Sequence, residues 1–406
     1  MELVERIKSK INLTHSIILR DRDPGDGLMT GKLGLAVYQS CVAPYVTGGG
    51  VRTAGAAGDI VEEILERVEN GQSSLQTYFY ANGLSGLGAV MQFLIERGEI
   101  EFDFEENFSI IDEFIFEKAL ESIGNGYVEY FYGGSGALYY LLGRQQGSSI
   151  VRREEQLVEA IMEQVSMDPL GVRVPRGQYP WHKSDDYDLS LAHGLCGVLL
   201  ILLDVLQAGR VKNIGGIHSH LQKASTFVRQ LKRSPNPSGG IFAALPHTIS
   251  KDSGLEDLSR TITWGKSRLA WCYGDLGWVL FFYKYGQYVK DTGILKFADE
   301  LGESTLARKT EEETLSTTAH FCHGHAGLAY MYKTLSRVSG RRMYVEAGEF
   351  WLQRTLDQID LDLDQSVYEK AERESAFLEG LAGINLVLAS FLEEEDPGWG
   401  RFFLIS

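Results

Sequence analysis

Two of the four cysteines in this 406-residue chain stand in matching settings, Trp271-Cys272-Tyr273-Gly274 and Phe321-Cys322-His323-Gly324, and the second has a histidine beside it. Two thiolates and one imidazole form a three-ligand set suited to Zn²⁺, with a fourth tetrahedral position left for water or substrate, the mark of a catalytic rather than a structural site. An isolated cysteine is more often a small buried hydrophobe. What lifts Cys272 and Cys322 above that base expectation is their shared position, two residues before a G-x-x-G. His193 also directly precedes a G-x-x-G, at Gly194, but in a repeat away from those of Cys272 and Cys322, which suits an acid/base group better than a ligand. Arg268, four residues before Cys272, and Glu129, four before Gly133, could reach the same place; single charges of this kind are ordinarily solvated. His325 could replace His323, although its offset points into the start of the next helix. His15, His182, His218, His220, His247 and His320 are expected on the surface or in loops.

Residues fifty apart can share a site only if the fold repeats, and it does. G-x-x-G occurs seven times, starting at Gly31, Gly83, Gly133, Gly194, Gly274, Gly324 and Gly380, with intervals of 52, 50, 61, 80, 50 and 56 residues. That period fits two helices and their loops per repeat. The run after each glycine pair, such as GLCGVLLILL from Gly194, is apolar on nearly every side, as in a helix buried all round. Between these runs lie amphipathic patterns, for example Ile60, Val61, Ile64, Leu65 and Val68, or Leu157, Val158, Ile161, Met162 and Val165. The expected fold is therefore all-α, an (α/α) toroid or barrel of seven inner and seven outer helices, forming one domain over residues 1–406. Loops or small β insertions are expected, with irregular structure around 236–264. Glycine at the helix starts would permit positive φ and close helix approach.

Equivalent repeats turn sequence offset into geometry, because one offset should fall at one end of the barrel. One residue before the glycines stand Thr30, Asn82, Tyr132, His193, Tyr273, His323 and Glu379, a polar collar. Two residues before stand Met29, Ala81, Phe131, Ala192, Cys272, Cys322 and Leu378, so the two cysteines belong to consecutive repeats and should be neighbours.

Composition narrows the partners. Hydrophobic residues make up 44% of the chain, enough for an extensive core, and the net charge of -16 disfavours nucleic acid while favouring a cationic peptide. Met1–Lys10 lacks an apolar signal core and no run of eighteen apolar residues occurs, so a cytoplasmic protein without a membrane span is expected. Four scattered cysteines make no disulfide framework.

These segments resemble the lanthionine synthetase C-like (LanC) family, which includes the cyclases of class I lanthipeptide biosynthesis and their eukaryotic relatives. The resemblance rests on RLAWCYGDLG (Arg268–Gly277), HFCHGHAGLAY (His320–Tyr330) and LAHGLCG (Leu191–Gly197), with EYFYGGSGALYYL, FLEGLAGINLVL and the ending WGRFFLIS in support. It implies that Cys272, Cys322 and His323 bind zinc, that His193 is the catalytic histidine, and that Arg268 and Tyr273 line the active site. Glu129 stands where bacterial cyclases of the family often carry Asp. The reaction implied is Michael-type addition of peptide cysteine thiols to dehydroalanine or dehydrobutyrine, giving lanthionine or methyllanthionine rings. Its substrate would be a dehydrated leader–core precursor peptide, with a LanB-type dehydratase and a transporter as partners, since the chain starts near its first repeat and a stand-alone cyclase is implied. Three other readings stay open: a relative that joins glutathione to dehydroamino acids in proteins, a helical-toroid glycosidase using Glu129 and Glu379, and a silent peptide-binding scaffold.

Overall fold

A computed structural model describes residues 2–20, 24–46, 56–168, 171–174, 186–212, 214–249, 267–368 and 374–405. His182 and the 250–264 part of the expected insertion lie outside them. All seven glycine motifs open a helix. The helices Lys32–Val42, Leu84–Glu96, Gly134–Gly143, Leu195–Ala208, Asp275–Val289, His325–Ser339 and Leu381–Ser390 each follow directly on the first glycine of a G-x-x-G. Their apolar composition matches their burial: in Leu195–Ala208 every residue from Leu195 to Leu203 is buried. At roughly 1.5–3 kcal/mol per buried Leu, Val or Ile side chain, this burial outweighs the weak helix start that glycine gives.

The glycines also explain how those helices begin. A helix leaves its first N–H groups without partners, and the glycine N-caps Gly31, Gly83, Gly133, Gly194 and Gly380 offer no side chain to cap them. The preceding loop caps them instead, with the first helical N–H donating to a carbonyl seven residues back. Lys32 N donates to Gly25 O (2.8 Å), Leu84 to Thr77 (2.9 Å), Gly134 to Tyr127 (3.0 Å), His325 to Thr318 (2.9 Å) and Leu381 to Glu374 (3.0 Å). The loop lies so close that a Cβ on Gly31, Gly83, Gly194, Gly274 or Gly324 would come within 2.0–2.6 Å of the carbonyl oxygen six residues earlier. Space, and not dihedral freedom, is therefore the general reason for glycine. The positive φ that glycine permits is used sparingly: most of these glycines are extended (φ -142° at Gly31, -144° at Gly83), and among the helix-opening glycines φ is positive at Gly274 alone, where it is 99°.

The described residues form two compact units, one comprising 1–115, 317–334 and 342–406, the other 116–316 and 335–341. In the first, main-chain bonds join the residues two before the glycines. Cys322 N donates to Leu378 O (3.0 Å), Leu378 N to Met29 O (3.1 Å) and Met29 N to Ala81 O (3.0 Å). Repeats six, seven, one and two thus stand in that spatial order, and the chain's two ends meet. The helix Glu2–Ile18 seals the join by burying Ile7, Ile11, Thr14 and Ile18, with Thr14 Oγ1 donating to Asn385 Oδ1 at 2.8 Å. The buried ending adds Trp399, stacked on Tyr330 and donating Nε1–H to Ser390 Oγ at 2.9 Å.

In the second unit the inner helices Gly134–Gly143, Leu195–Ala208 and Asp275–Val289 pack in sequence order, and Ala192 N donates to Cys272 O at 3.3 Å. Outer helices Ser148–Gln164 and Thr292–Leu306 cover them. Short antiparallel pairs join Ser166–Asp168 to Gly171–Arg173 and Tyr187–Asp188 to Thr248–Ile249. The described part of the expected insertion, 236–249, holds a 3-10 turn at Pro237–Gly239, the Asn236–Ile241 bridge and the Thr248–Ile249 strand. It is tied down by Asp275, whose carboxylate accepts from Ala244 N and Leu245 N, both at 3.0 Å, and pairs with buried Arg308 at 3.5 Å.

Gly274 and Gly209 separate the two costs of replacing glycine. Gly209 has φ 66° and open space where a Cβ would go, so Gly209→Ala bears only the left-handed penalty of about 1–2 kcal/mol. Gly274→Ala adds a Cβ 2.0 Å from Arg268 O and is expected to cost at least ~3 kcal/mol. Equal losses in urea unfolding of the two variants would contradict this.

Candidate metal centre and active site

Three loops of the second unit carry candidate site residues, each loop ending at a helix-opening glycine. Glu129 is buried, and its carboxylate is held from behind: Oε2 accepts from Phe131 N at 2.9 Å and Oε1 from Tyr132 N. Its Oε2 also lies 3.0 Å from His193 Nδ1. Main-chain donors thus fix Glu129 and Glu129 fixes the imidazole, leaving Nε2 as the working nitrogen of a side chain 30% exposed. The ring stacks on Tyr132 (6.2 Å, 5°) and takes the edge of Phe131 (5.7 Å, 78°), which leans on Trp271 (5.6 Å).

Burial alone would lower the His193 pKa, since it penalises the imidazolium, but the Glu129 hydrogen bond and charge, followed by the weaker fields of Asp188 and Cys272, outweigh it. The net shift is upward, which keeps a proton on His193 to higher pH than on a free histidine.

Asp188 supports two of these groups at once. Held in the Tyr187–Asp188 strand opposite Thr248, it accepts Ser190 N through Oδ1 at 2.7 Å and Tyr273 Oη through Oδ2 at 3.3 Å. Ser190 Oγ in turn accepts His193 N at 3.2 Å. Tyr273 also packs edge-on against His247, whose carbonyl accepts Leu189 N. Arg268 is half-buried in the same loop as Cys272.

Within the first unit Cys322 and His323 are adjacent in the loop before His325–Ser339. The Cys322 N–H is anchored on Leu378 O (3.0 Å), and the His323 ring meets the His320 ring at 4.2 Å in an edge-to-face contact. His325 belongs instead to the helix, where it packs on Trp351 at 5.3 Å. Of the histidines expected on the surface or in loops, His320 is a loop residue yet buried, and His220 departs by being buried within a helix. His320 packs on His323, and His220 lies on the inward face of Ile214–Leu231 with Nδ1 bonded to Gly216 O at 2.9 Å.

The potential ligand atoms of Cys272, Cys322 and His323 all lie within 4.8 Å of one another, so this cluster could bind a metal ion. Both cysteines are buried. Bond lengths of about 2.0–2.3 Å would place tetrahedral N and S ligands roughly 3.3–3.8 Å apart, so small side-chain movements suffice to close the set. The residues present fit a tetrahedral, sulfur-preferring metal.

Sequence reasoning had not singled out Asp188 and Ser190, or the contact of His320. A register signal existed for Asp188: it lies six residues before Gly194, as Arg268 does before Gly274. Among the described residues, no helix is long and apolar enough to cross a membrane.

Nisin biosynthesis protein NisC of Lactococcus lactis subsp. lactis is 23% identical over 208 residues, which is 50% of this chain but only 44% of that relative. The solved structure of a nisin cyclase superposes with a TM-score of 0.72 at 19% identity, covering 100% of this chain and 98% of its own. That likeness shows the fold, the α/α toroid expected from the repeats. Residues 22–404 match the lanthionine synthetase C-like protein profile, and the chain belongs to that family.

Proposed function

We propose that this protein is a zinc-dependent lanthipeptide cyclase, a single catalytic domain that adds peptide cysteine thiols to dehydroalanine or dehydrobutyrine to form thioether rings. The observation that carries the reading is the Cys272, Cys322 and His323 cluster, in a chain of this family whose second unit sets His193 on a buried carboxylate. Similarity to nisin biosynthesis protein NisC and nisin cyclase supports a lanthipeptide substrate; the proposed reaction calls for that peptide in dehydrated leader–core form, with a LanB-type dehydratase and a transporter as partners. A sulfur-rich ligand set suits a cytoplasmic setting, where thiols stay reduced.

Cys272, Cys322 and His323 would hold the zinc. Bound there, zinc would supply thiol deprotonation at neutral pH, where a free thiol of pKa about 8.5 is only a few per cent thiolate. The chain's other residues serve the carbon that is attacked. Addition at the β-carbon leaves an enolate whose oxygen needs a donor, a role assigned to the Arg268 guanidinium, or to the Tyr273 hydroxyl once it turns its proton away from Asp188 Oδ2. The α-carbon then takes a proton from His193, which Glu129 orients and keeps protonated. Glu129 is a poor glycosidase acid, because amide N–H groups and His193 already engage its oxygens. The glutathione-transferring alternative uses the same residues and differs in the thiol; rings closed within one dehydrated peptide, read by mass spectrometry with a free-thiol count, favour the cyclase.

Cys322→Ala is expected to lose bound zinc and cyclisation together, whereas His193→Ala keeps its zinc while ring closure falls about 10²–10⁴-fold. Full cyclisation by metal-free Cys322→Ala protein would overturn the assignment. The Glu129 and His193 pair makes a separate prediction about pH. Because Glu129 holds the His193 pKa up, Glu129→Gln should move the imidazole titration, followed by NMR, to lower pH, and the alkaline limb of kcat/KM should move the same way. A shift to higher pH, or none, would show that Glu129 does not sustain the proton.

A further inference from the structure

Glu379 is the acid of the collar, one residue before the last glycine pair, and the proposed cyclase chemistry gives it no task. Its Oε1 lies 3.9 Å from His323 Nδ1, in the same compact unit. The approach is set by main chain as well as side chain, because Cys322 N donates to the carbonyl of Leu378, the residue before Glu379. The two collar segments, Cys322–His323 and Leu378–Glu379, are therefore tied backbone to backbone. The His320 ring stands 4.2 Å from the imidazole and nearly perpendicular to it, at 86°, which limits how far His323 can swing.

We propose that Glu379 is a positioning residue for the metal ligand His323, accepting its Nδ1–H so that the Nε2 lone pair faces the metal. The inference rests on the reading of Cys272, Cys322 and His323 as ligands. A neutral imidazole that ligates through one nitrogen keeps its proton on the other, and a carboxylate acceptor there selects the tautomer, fixes the ring plane and raises ligand basicity. The present 3.9 Å is longer than a hydrogen bond. Both side chains are about one-third exposed (32% and 35%), so a Glu379 torsion can close the gap or one water can bridge it. Were Glu379 only a solvated collar charge, it would attract cationic peptide without touching metal affinity.

The experiment measures zinc affinity of the full chain against a chromophoric zinc chelator, beside the melting temperatures of the zinc-free and zinc-loaded protein. Glu379→Ala is expected to weaken zinc binding 10–100-fold, leaving the zinc-free melting temperature unchanged and shrinking the rise that zinc produces. Glu379→Gln, whose carbonyl still accepts an N–H, should lose less. Affinity within twofold of wild type in Glu379→Ala would overturn the proposal, even if KM for peptide rose. A zinc-free melting temperature that drops with the affinity would overturn it too, by showing a structural role. Wild-type protein that takes up no zinc would instead remove the metal centre itself, a failure distinguishable from the other two.

Discussion

Everything at this site depends on how closely each inner helix starts beneath its own preceding loop. The loop's carbonyls satisfy the helix's first N–H groups, and a Cβ at the opening glycine would collide with that loop. Once the contact forms, the residues one and two before the glycines can occupy only one place relative to their helix. Where the main chain links repeat to repeat through the second of these positions, as from Cys322 to Leu378 to Met29 to Ala81, the equivalence spreads around the structure. Chemistry-bearing side chains can then be placed by offset alone, without contact in sequence.

A second layer refines what that geometry sets coarsely. Buried acids turn their oxygens toward main-chain N–H groups of these loops: Glu129 toward Phe131 and Tyr132, Asp188 toward Ser190, and, from a helix later in the chain, Asp362 toward Ala319. Each gains charge-assisted hydrogen bonds that offset the cost of burying a carboxylate. Glu129 and Asp188 have capacity left for a functional side chain, His193 and Tyr273 respectively. Loop rigidity and site orientation therefore come from the same atoms, and removing one of these acids would disturb both.

Much of this was legible beforehand. The seven apolar runs could be read as buried helices because they lack a polar face, and Cys272, Cys322 and His323 could be grouped because their offsets match. What stayed hidden was whatever depends on a partner distant in sequence. Asp188 owes its placement to a two-residue strand pairing with Thr248–Ile249, sixty residues on, which no local pattern announces. His220 could have been recognised, since it falls on the apolar stripe of Ile217, Leu221 and Ala224 and is buried with them. The positive φ of Gly274 had no sequence signal, because the other repeats present the same motif with extended glycines.

The account's central claim is that helix register assembles two sulfurs and one imidazole around a single metal ion. X-ray absorption at the zinc edge of the purified protein tests it most directly. The predicted shell holds two sulfur scatterers at about 2.3 Å and light N or O scatterers at about 2.0–2.1 Å, one of them imidazole. A shell with no sulfur, or protein that retains no zinc, would contradict it.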